Sequence, residues 1–287
     1  MNGFSDPYAA PAKLNLMLRV VGRRSDGYHL LQTVFRFIDH CDELRFRLRA
    51  DGEITRANDV PGVPAAADLC VRAAKALQQA SGTRLGADIL LEKRLPMGGG
   101  LGGGSSDAAT TLLVLNRLWK TALTRTQLID LAVKLGADVP VFVLGENALA
   151  EGIGEQLQAI DLPPAWYVVL CPPVAVSTAT VFSHPDLKRD SQKVTIQGFT
   201  DAVVSSAVMA LGNDLEPLVV RYYPEVARHL AWLTKFAPAL MTGSGACVFA
   251  AFGSESEARQ VIAQLSADMQ GFVAQGLQRH PLRGLAE

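Results

Sequence analysis

One glycine-rich segment has the clearest chemical meaning in this chain. Six of the seven residues from Gly98 to Gly104 are glycine, with Pro96 before them and Ser105 and Ser106 after them. Ordering glycine costs about 0.5–1 kcal/mol per residue relative to alanine in regular structure. Such a run also contributes no side chains to a core. We therefore expect the segment to be held by a bound ligand.

The neighbouring elements indicate which kind of ligand. A strand is predicted at Ala87–Glu92 and a helix over 108–119, with Ser106 or Asp107 as its N-cap. A glycine-rich loop that leads into a helix N-terminus presents free N–H groups and the positive end of the helix dipole. This arrangement favours a phosphate group, and the two serines would add hydroxyl donors.

A linker, a Walker A loop and a dinucleotide-binding loop each fit the segment less well. A flexible linker is disfavoured because the loop joins two strongly patterned elements of one domain. A Walker A loop requires a Gly-Lys pair, which the chain lacks. Gly98, Gly100 and Gly103 match the dinucleotide pattern G-x-G-x-x-G, but residues 117–125 provide no acidic residue for a ribose.

A second polar group lies near the N-terminus. Residues 12–22 alternate as a half-buried strand, with apolar residues from Leu14 to Val20 on one face. Lys13 and Asn15 share the other face, with their Cα atoms about 6–7 Å apart. From this pattern alone Lys13 is also compatible with an ordinary exposed position on a strand.

The remaining elements predict an α+β fold. Strands are predicted at 30–38 and 43–49, and in the second of them three alternating arginines favour a solvated sheet face over a phosphate site. Helical patterns near 199–211 and 224–235 lie in the second half. With the extra helix set aside, the order there is βαββαβ, which is the ferredoxin-like pattern. The Pro163-Pro164 pair predicts a boundary between domains at 1–162 and 163–287.

Composition excludes several classes of protein. The 287 residues include 27 Lys and Arg and 28 Asp and Glu, so a net charge of −1 argues against nucleic-acid or membrane partners bound by bulk electrostatics. A hydrophobic fraction of 49% argues against disorder. The four cysteines have no CxxC spacing, so we expect small buried side chains rather than a zinc site. With no signal-peptide or membrane-helix pattern, a cytoplasmic protein is expected.

Five motifs in sequence order resemble those of the galactokinase, homoserine kinase, mevalonate kinase and phosphomevalonate kinase superfamily. Pro96–Ser106 resembles its ATP loop, and the resemblance covers nearly the whole chain. The other four motifs are Pro11–Leu16, Gly27–Leu30, Leu135–Pro140 and Leu240–Cys247. Within the superfamily the motifs are most similar to those of the kinases that act on a cytidine diphosphate conjugate of methylerythritol.

The resemblance implies a fold and an activity. The fold would be a ribosomal-protein-S5-like N-terminal domain and a ferredoxin-like C-terminal domain, with the active site in the cleft between them. The activity would be ATP-dependent phosphorylation of the 2-hydroxyl of the methylerythritol part of that conjugate, in non-mevalonate isoprenoid precursor synthesis. ATP would be the phosphoryl donor and Mg²⁺ is expected with it, although no acidic pair identifies a metal ligand.

The resemblance also assigns residues. The catalytic pair would be Lys13 and Asp138, in which Asp138 accepts the substrate hydroxyl proton and Lys13 orients it and stabilises developing charge. ATP-binding residues would be Pro96, Met97, Gly98, Gly99, Gly100, Leu101, Gly102, Gly103, Gly104, Ser105 and Ser106. Substrate-binding residues would be Asn15, Tyr28, His29, Phe182, Thr242, Gly243, Ser244 and Gly245.

Alternatives remain at this stage. Asp138 precedes Val139-Pro140 and is equally placed as a helix N-cap, and the segment from Thr242 to Gly245 also suits a tight hairpin turn. One alternative function is phosphorylation of another small alcohol, such as homoserine or mevalonate, within the same superfamily. The other is a non-catalytic ligand sensor on the same fold. We expect a monomer or a weak homodimer.

Overall fold

The computed structural model describes residues 3–204 and 208–286. Its strands are β1 (Tyr8–Arg23), β2 (His29–Arg49), β3 (Ile54–Arg56), β4 (Gly86–Glu92), β5 (Ala148–Glu151), β6 (Gln156–Ala159), β7 (Trp166–Leu170), β8 (Ala239–Met241), β9 (Val248–Phe252) and β10 (Gly271–Leu277).

The helices cover both halves of the chain. They are α1 (Leu69–Ser81), α2 (Gly103–Leu118), α3 (Arg125–Val133), α4 (Val139–Leu144), α5 (Thr178–Ser183), α6 (Ile196–Val204), α7 (Glu216–Tyr222), α8 (Pro224–Leu233) and α9 (Glu255–Ile262). The helix predicted near 199–211 begins within α6 and ends in a 3₁₀ turn at Val208–Leu211. Its residues 205–207 lie outside the described residues.

The sheet confirms the predicted α+β class. Its hydrogen-bonded path runs β3-β4-β2-β10-β7-β9-β8, and β1 and β5 also pair with β2. The strands β7 to β10 lie in the sheet in the order β10-β7-β9-β8, and each pairs antiparallel with its neighbour. Numbered along the chain, this order is 4-1-3-2, which is the strand order of the predicted ferredoxin-like βαββαβ pattern. The boundary at 162/163 stays a prediction, and β10 carries the sheet across it by pairing with β2.

One continuous strand, β2, spans both segments that were predicted as separate strands at 30–38 and 43–49. The prediction of a break was wrong because the chain stays paired with β1 through a bulge, at which Ala12 faces Ile38 and Pro11 faces Cys41. The same strand pairs with β4 on its outer part. There the predicted solvated face is partly exposed, and Arg47 and Arg49 bridge Asp88 of β4 at 2.6 and 3.0 Å.

Both faces of β1 are covered, so the expectation of a half-buried strand was wrong. Leu14 and Met17 lie in a cluster with Val169 and Phe249 from the C-terminal half. Lys13, on the opposite face, is 2% exposed. The polar face is buried because the glycine segment and residues from the C-terminal half pack over it, which a local pattern does not reveal.

A buried arginine holds the connection between the halves. Arg36 of β2 is fully buried, and its guanidinium donates to the carbonyl oxygens of Pro163 at 3.1 Å and Leu162 at 3.5 Å. Gly276 of β10 leaves room for it, since a Cβ there would lie 2.3 Å from the guanidinium. Arg36 therefore links β2, β10 and the segment that leads into β7.

The helix after the glycine segment begins earlier than predicted. Its N-cap is Gly102, with φ of +73°, rather than Ser106 or Asp107, both of which are buried in the first turns of α2. Glycine adopts this left-handed conformation without the strain of a Cβ, so the helix can start within the glycine run. Thr124 and Gln127 form a capping box at the start of α3. Within the described ranges, every helix is too short or too polar to cross a membrane.

Candidate active site

The glycine segment packs against the turn formed by residues 242–245, which is far from it in sequence. The amide groups of Ala246 and Cys247 donate to the carbonyl oxygens of Gly98 and Gly99 at 3.2 and 3.1 Å. The Thr242 hydroxyl lies 3.3 Å from the carbonyl oxygen of Gly100. Two of the five motifs therefore meet through their backbones, one from each half of the chain.

Glycine is required where the two segments touch. Gly100 has φ of +75°, and a Cβ on it would lie 2.1 Å from the carbonyl oxygen of Thr242. Gly102 has φ of +73°, and a Cβ there would lie 3.0 Å from Cε of Lys13 and 3.1 Å from the ring of Phe142. The first position allows the turn to approach, and the second allows the lysine to pass beneath the loop.

Lys13 is held from several sides. Its ammonium donates to Oδ1 of Asn15 at 2.5 Å and lies 3.3 Å from Oδ2 of Asp138. The ring of Phe35 lies 5.5 Å away, within the range of a cation–π contact. Its backbone N–H also donates to the carbonyl oxygen of Leu101 at 3.0 Å, which ties β1 to the glycine segment.

Asp138 occupies the N-cap position of α4, as the alternative interpretation expected, but its carboxylate does not form a capping bond. The carboxylate instead faces Lys13. The Asp138 side chain is 34% exposed, whereas that of Lys13 is 3% exposed. The pair thus has a buried cation and a carboxylate open to the cleft.

A hydrogen-bond network fixes Asn15 beside this pair. The Asn15 amide N–H donates to the Thr242 hydroxyl at 3.0 Å, and its Nδ2 donates to the Thr33 hydroxyl at 2.8 Å. Thr33 donates in turn to the carbonyl oxygen of Met17 at 2.6 Å. Both Oδ1 and Nδ2 of the Asn15 side chain have hydrogen-bond partners. The side-chain amide therefore cannot rotate freely, and Oδ1 stays in place to accept the hydrogen bond from Lys13. Sequence reasoning missed Thr33.

The turn itself depends on another residue that the sequence did not reveal. Nδ2 of Asn213 donates to the carbonyl oxygens of Met241 and Gly243, both at 2.8 Å, and its Oδ1 accepts from the amide of Leu215. The hydroxyls of Thr178 and Ser244 lie 2.7 Å apart at the edge of the cleft. Asn213 and Thr178 follow no recognisable spacing, so only the folded chain identifies them.

A cavity of about 540 Å³ lies where these segments converge. It brings together most of the predicted site: Lys13, Asn15, Pro96, Met97, Gly98, Gly99, Gly100, Leu101, Gly102, Gly103, Gly104, Ser105, Asp138, Phe182, Gly243, Ser244 and Gly245. An apolar wall that was not predicted comes from Val60, Val63, Leu69 and Leu91.

Four predicted residues lie outside that lining. Ser106 and Thr242 are fully buried, so Ser106 offers no hydroxyl to the cavity and Thr242 acts through its contacts with Asn15 and Gly100. Tyr28 is 61% exposed, and His29 follows it at the start of β2.

His29 and Phe182 form a ring pair near the cavity mouth. Their centroids are 5.0 Å apart at an interplanar angle of 36°. Nε of Arg189 donates to Nε2 of His29 at 3.0 Å, so Nδ1 is the nitrogen that carries the proton in the neutral ring. Burial, followed by the charges of Arg189 and Arg23, lowers the pKa of His29. His29 is therefore a neutral donor, positioned by an arginine that the sequence did not reveal.

A second buried charge cluster lies behind the glycine segment. Lys93, which was given no role from sequence, contacts the carboxylate of Asp42 and lies 2.8 Å from Oδ2 of Asp107. Asp42 also accepts the backbone amides of Arg94 and Leu95 at 2.6 and 2.8 Å. The cluster thus fixes the end of the strand that leads into the loop.

Two carboxylates share one ammonium in this cluster. Burial, together with the neighbouring Asp42 carboxylate, raises the pKa of Asp107 to about 8, although Lys93 acts in the opposite direction. Burial lowers the pKa of Lys93, but the carboxylates of Asp107 and Asp42 raise it by more, so the net shift is upward. At neutral pH the cluster therefore favours one protonated carboxyl, since two adjacent carboxylates resist simultaneous ionisation.

Comparison with known proteins identifies the family. Residues 68–146 match the GHMP kinases N terminal domain, and residues 201–271 match the GHMP kinases C terminal family. The chain is 62% identical over 281 residues to the 4-diphosphocytidyl-2-C-methyl-D-erythritol kinase of Nitrosospira multiformis, covering 97% of this chain and 93% of the relative. The corresponding kinase of Thiobacillus denitrificans is 59% identical, with coverage of 97% and 98%.

The chain belongs to the 4-diphosphocytidyl-2-C-methyl-D-erythritol kinase family. A crystal structure of a 4-(cytidine 5'-diphospho)-2C-methyl-D-erythritol kinase superposes with a TM-score of 0.82 at 34% identity, covering 94% of this chain and 98% of that one. Membership of this kinase family confirms the predicted fold class, and the relatives' shared name supports the predicted acceptor over mevalonate or homoserine.

We expect Gly102→Ala to raise the Kd for ATP at least tenfold in a folded protein. The substitution places a Cβ at φ of +73° against Lys13, and so displaces the loop or the lysine. Isothermal titration calorimetry measures the affinity. Gly82→Ala is the matched control, because it has φ of +69° but no atom within 4 Å of the added Cβ. Equal ATP affinity in the two variants would contradict the assignment of the loop.

We expect Asp107→Asn to change how stability depends on pH. Between the ordinary Asp pKa near 4 and the raised value of about 8, the folded protein binds more protons than the unfolded chain. The unfolding free energy of the native protein should therefore fall relative to the variant as pH rises through this range, by up to about 1.4 kcal/mol per unit. Urea unfolding at pH 5, 7 and 9 measures it. Asp130→Asn on the exposed side of α3 is the control, and a difference that is constant with pH would count against the protonated carboxyl.

Proposed function

We propose that the protein transfers the γ-phosphoryl group of ATP to the 2-hydroxyl of 4-diphosphocytidyl-2-C-methyl-D-erythritol. The observation that carries the proposal is the Lys13–Asp138 pair, whose carboxylate opens into the cavity beside the glycine segment. Membership of the kinase family over almost the full chain supports the choice of acceptor. The pair also argues against a non-catalytic sensor, which would need neither a base nor a buried cation.

ATP would bind with its phosphates at the N-terminus of α2. The first intrahelical bond there is made by the amide of Ser106 to Gly102, so the amides of Gly103, Gly104 and Ser105 precede it and are available to an anion. The apolar wall of the same cavity, which includes Leu69 and Leu91, suits a purine ring. The size and lining of the cavity therefore fit a nucleoside triphosphate.

In the transfer step, Asp138 would accept the proton of the substrate hydroxyl as its oxygen bonds to the γ-phosphorus. The bond from that phosphorus to the bridging oxygen of ATP breaks, so ADP leaves with the electron pair and the proton passes later to solvent. Lys13 would orient the carboxylate and offset negative charge on the phosphoryl oxygens. The bond from Lys13 to Asn15 keeps the ammonium in place during this change.

Mg²⁺ would accompany ATP and neutralise charge on its phosphates. In the part of the chain that the structure describes, no three metal-ligating side chains converge on one point. Mg²⁺ in sites of this kind is usually bound by phosphate oxygens, several waters and at most one or two carboxylates.

The cytidine would bind at the edge of the cleft formed by Tyr28, His29 and Phe182. The neutral His29 has its Nδ1–H free of the Arg189 contact and can donate to a base carbonyl. Tyr28, 61% exposed, offers a flat face for stacking, which is worth about 1–3 kcal/mol per base. Arg189 would act as a positioning residue for the histidine.

The direct test of the function is a kinase assay with three acceptors. Incubation with Mg²⁺-ATP and the cytidine conjugate should give a new phosphomonoester resonance in ³¹P NMR, whereas mevalonate and homoserine should give none. Phosphorylation of either simple alcohol at a comparable kcat/KM would overturn the proposed acceptor.

We expect Asp138→Asn to lower kcat by about 10²–10⁴-fold while ATP and the conjugate still bind, since general-base catalysis contributes that much. Lys13→Ala should be comparably damaging. The double variant should lose far less than the product of the two single losses, because groups that act together are non-additive. Steady-state kinetics measures the effects, with Asp130→Asn as control. A near-normal kcat in Asp138→Asn would rule out the general base.

We expect Tyr28→Ala to raise the KM for the cytidine conjugate about tenfold or more and to leave the KM for ATP within twofold, because it removes a stacking face from one subsite only. Tyr222→Ala is the control, since Tyr222 is similarly exposed at 50% but its ring pairs with His184, away from the His29–Phe182 pair. A variant with a raised KM for ATP and an unchanged KM for the conjugate would place Tyr28 in the ATP subsite.

A further inference from the structure

Two cysteines face each other across adjacent strands behind the glycine segment. The antiparallel register of β7 and β9 pairs Trp166 with Phe252 and continues to Leu170 opposite Val248. One further step places Cys171 opposite Cys247. Both are free thiols in this structure. Their sequence spacing gives no sign of this pairing.

The backbone hydrogen bonds determine the type of pair. The amide of Cys171 donates away from β9, to the carbonyl of Gln270 at 2.8 Å. The amide and carbonyl of Cys247 bond away from β7, to Gly99 and Thr242. The two cysteines therefore form a non-hydrogen-bonded pair, for which the Cα atoms lie about 4.5 Å apart and the side chains are closest. That separation is within the range that a disulfide spans, about 4.4–6.8 Å.

The two thiols differ in reactivity. Cys247 is 1% exposed, whereas Cys171 is only partly buried, so a small oxidant reaches Cys171 first. A hydrogen bond between the sulfurs lowers the pKa of Cys171, despite its burial, and raises that of Cys247. Cys41 is also partly exposed, but burial and the nearby carboxylates of Asp39, Asp42 and Glu43 raise the pKa of its thiol to about 12. Since the thiolate is the nucleophile, Cys171 is the favoured site of attack.

Cys247 also touches the predicted ATP loop. Its amide donates to the carbonyl oxygen of Gly99, and a Cβ built on Gly99 would lie 2.7 Å from the Cys247 sulfur. The sulfur thus occupies the space that the absent side chain of Gly99 leaves. A covalent bond that draws this sulfur toward Cys171 would change the packing under the loop.

We propose that Cys171 and Cys247 are a redox pair that forms a reversible disulfide with peroxide as oxidant and thereby weakens ATP binding. The Cys171 thiolate attacks one peroxide oxygen, the O–O bond breaks, and a sulfenic acid and hydroxide form. The Cys247 sulfur then displaces the sulfenic oxygen, the S–S bond forms, and the oxygen leaves as water. Overall, two thiols and one hydrogen peroxide give one disulfide and two waters, and a dithiol reductant reverses the change.

The test is mild oxidation of the full chain with hydrogen peroxide, followed by alkylation of the remaining thiols and peptide mass spectrometry. We expect a peptide pair joined through Cys171 and Cys247, an intact mass lower by about 2 Da from the loss of two hydrogens, and a Kd for ATP raised at least threefold by calorimetry. Dithiothreitol should restore the affinity. ATP bound before the peroxide should slow disulfide formation, because binding and oxidation oppose each other.

Two variants separate this disulfide from general oxidation. Cys171→Ser should remove both the linked peptides and the peroxide-dependent loss of ATP affinity, while Cys41→Ser should retain both. Three outcomes would each overturn the proposal. They are a disulfide between another pair of cysteines, oxidation of Cys171 to sulfinic acid without linkage of the two peptides, and an unchanged ATP affinity in the linked protein.

Discussion

The buried ammonium of Lys13 is the constraint on which the site depends. Removing a charge from water costs several kcal/mol unless partners replace the solvent. Here the partners are Oδ1 of Asn15, the carboxylate of Asp138 and the ring of Phe35, which come from β1, the start of α4 and β2. Those elements must therefore meet at one point. Because the lysine is enclosed and the aspartate is not, the open side of the pair is its anionic side, where a hydroxyl proton can be received.

The glycine segment and the turn at 242–245 pack against each other beside the Lys13–Asp138 pair. Backbone groups make the contact, with Gly98 and Gly99 accepting from Ala246 and Cys247. Such closeness excludes a Cβ at Gly100 and explains why short residues recur on both sides. The entropy that glycine loses on ordering is offset by bonds within the protein as well as by any ligand, so the loop is largely pre-formed before a nucleotide arrives.

The sequence was sufficient for what depends on local pattern and on motif similarity. It predicted the ferredoxin-like order of the second half, and most residues of the proposed site line one cavity. It failed where distant pairing decides, as in the continuous strand β2 and the buried polar face of β1. Asn213, Arg189 and the Lys93 cluster were missed for the same reason, since each acts on a segment that only the fold brings near.

The position of β10 has a consequence for synthesis of the enzyme. Gly276 and Leu277 pair with β2 residues that lie about 240 positions earlier, and the same strand pairs with β7. At typical elongation rates of about 5–20 residues per second, β2 emerges roughly 12–50 s before its partner exists. During that interval Phe37 and Ile38, which lie between the parts of β2 that pair with β5 and β4, have no neighbour on that edge, and unpaired strand edges are sites at which chains associate. β10 is the last of the described strands to be synthesised, so the pairing that joins β2 to β7 through β10 cannot form until the other described strands have been made.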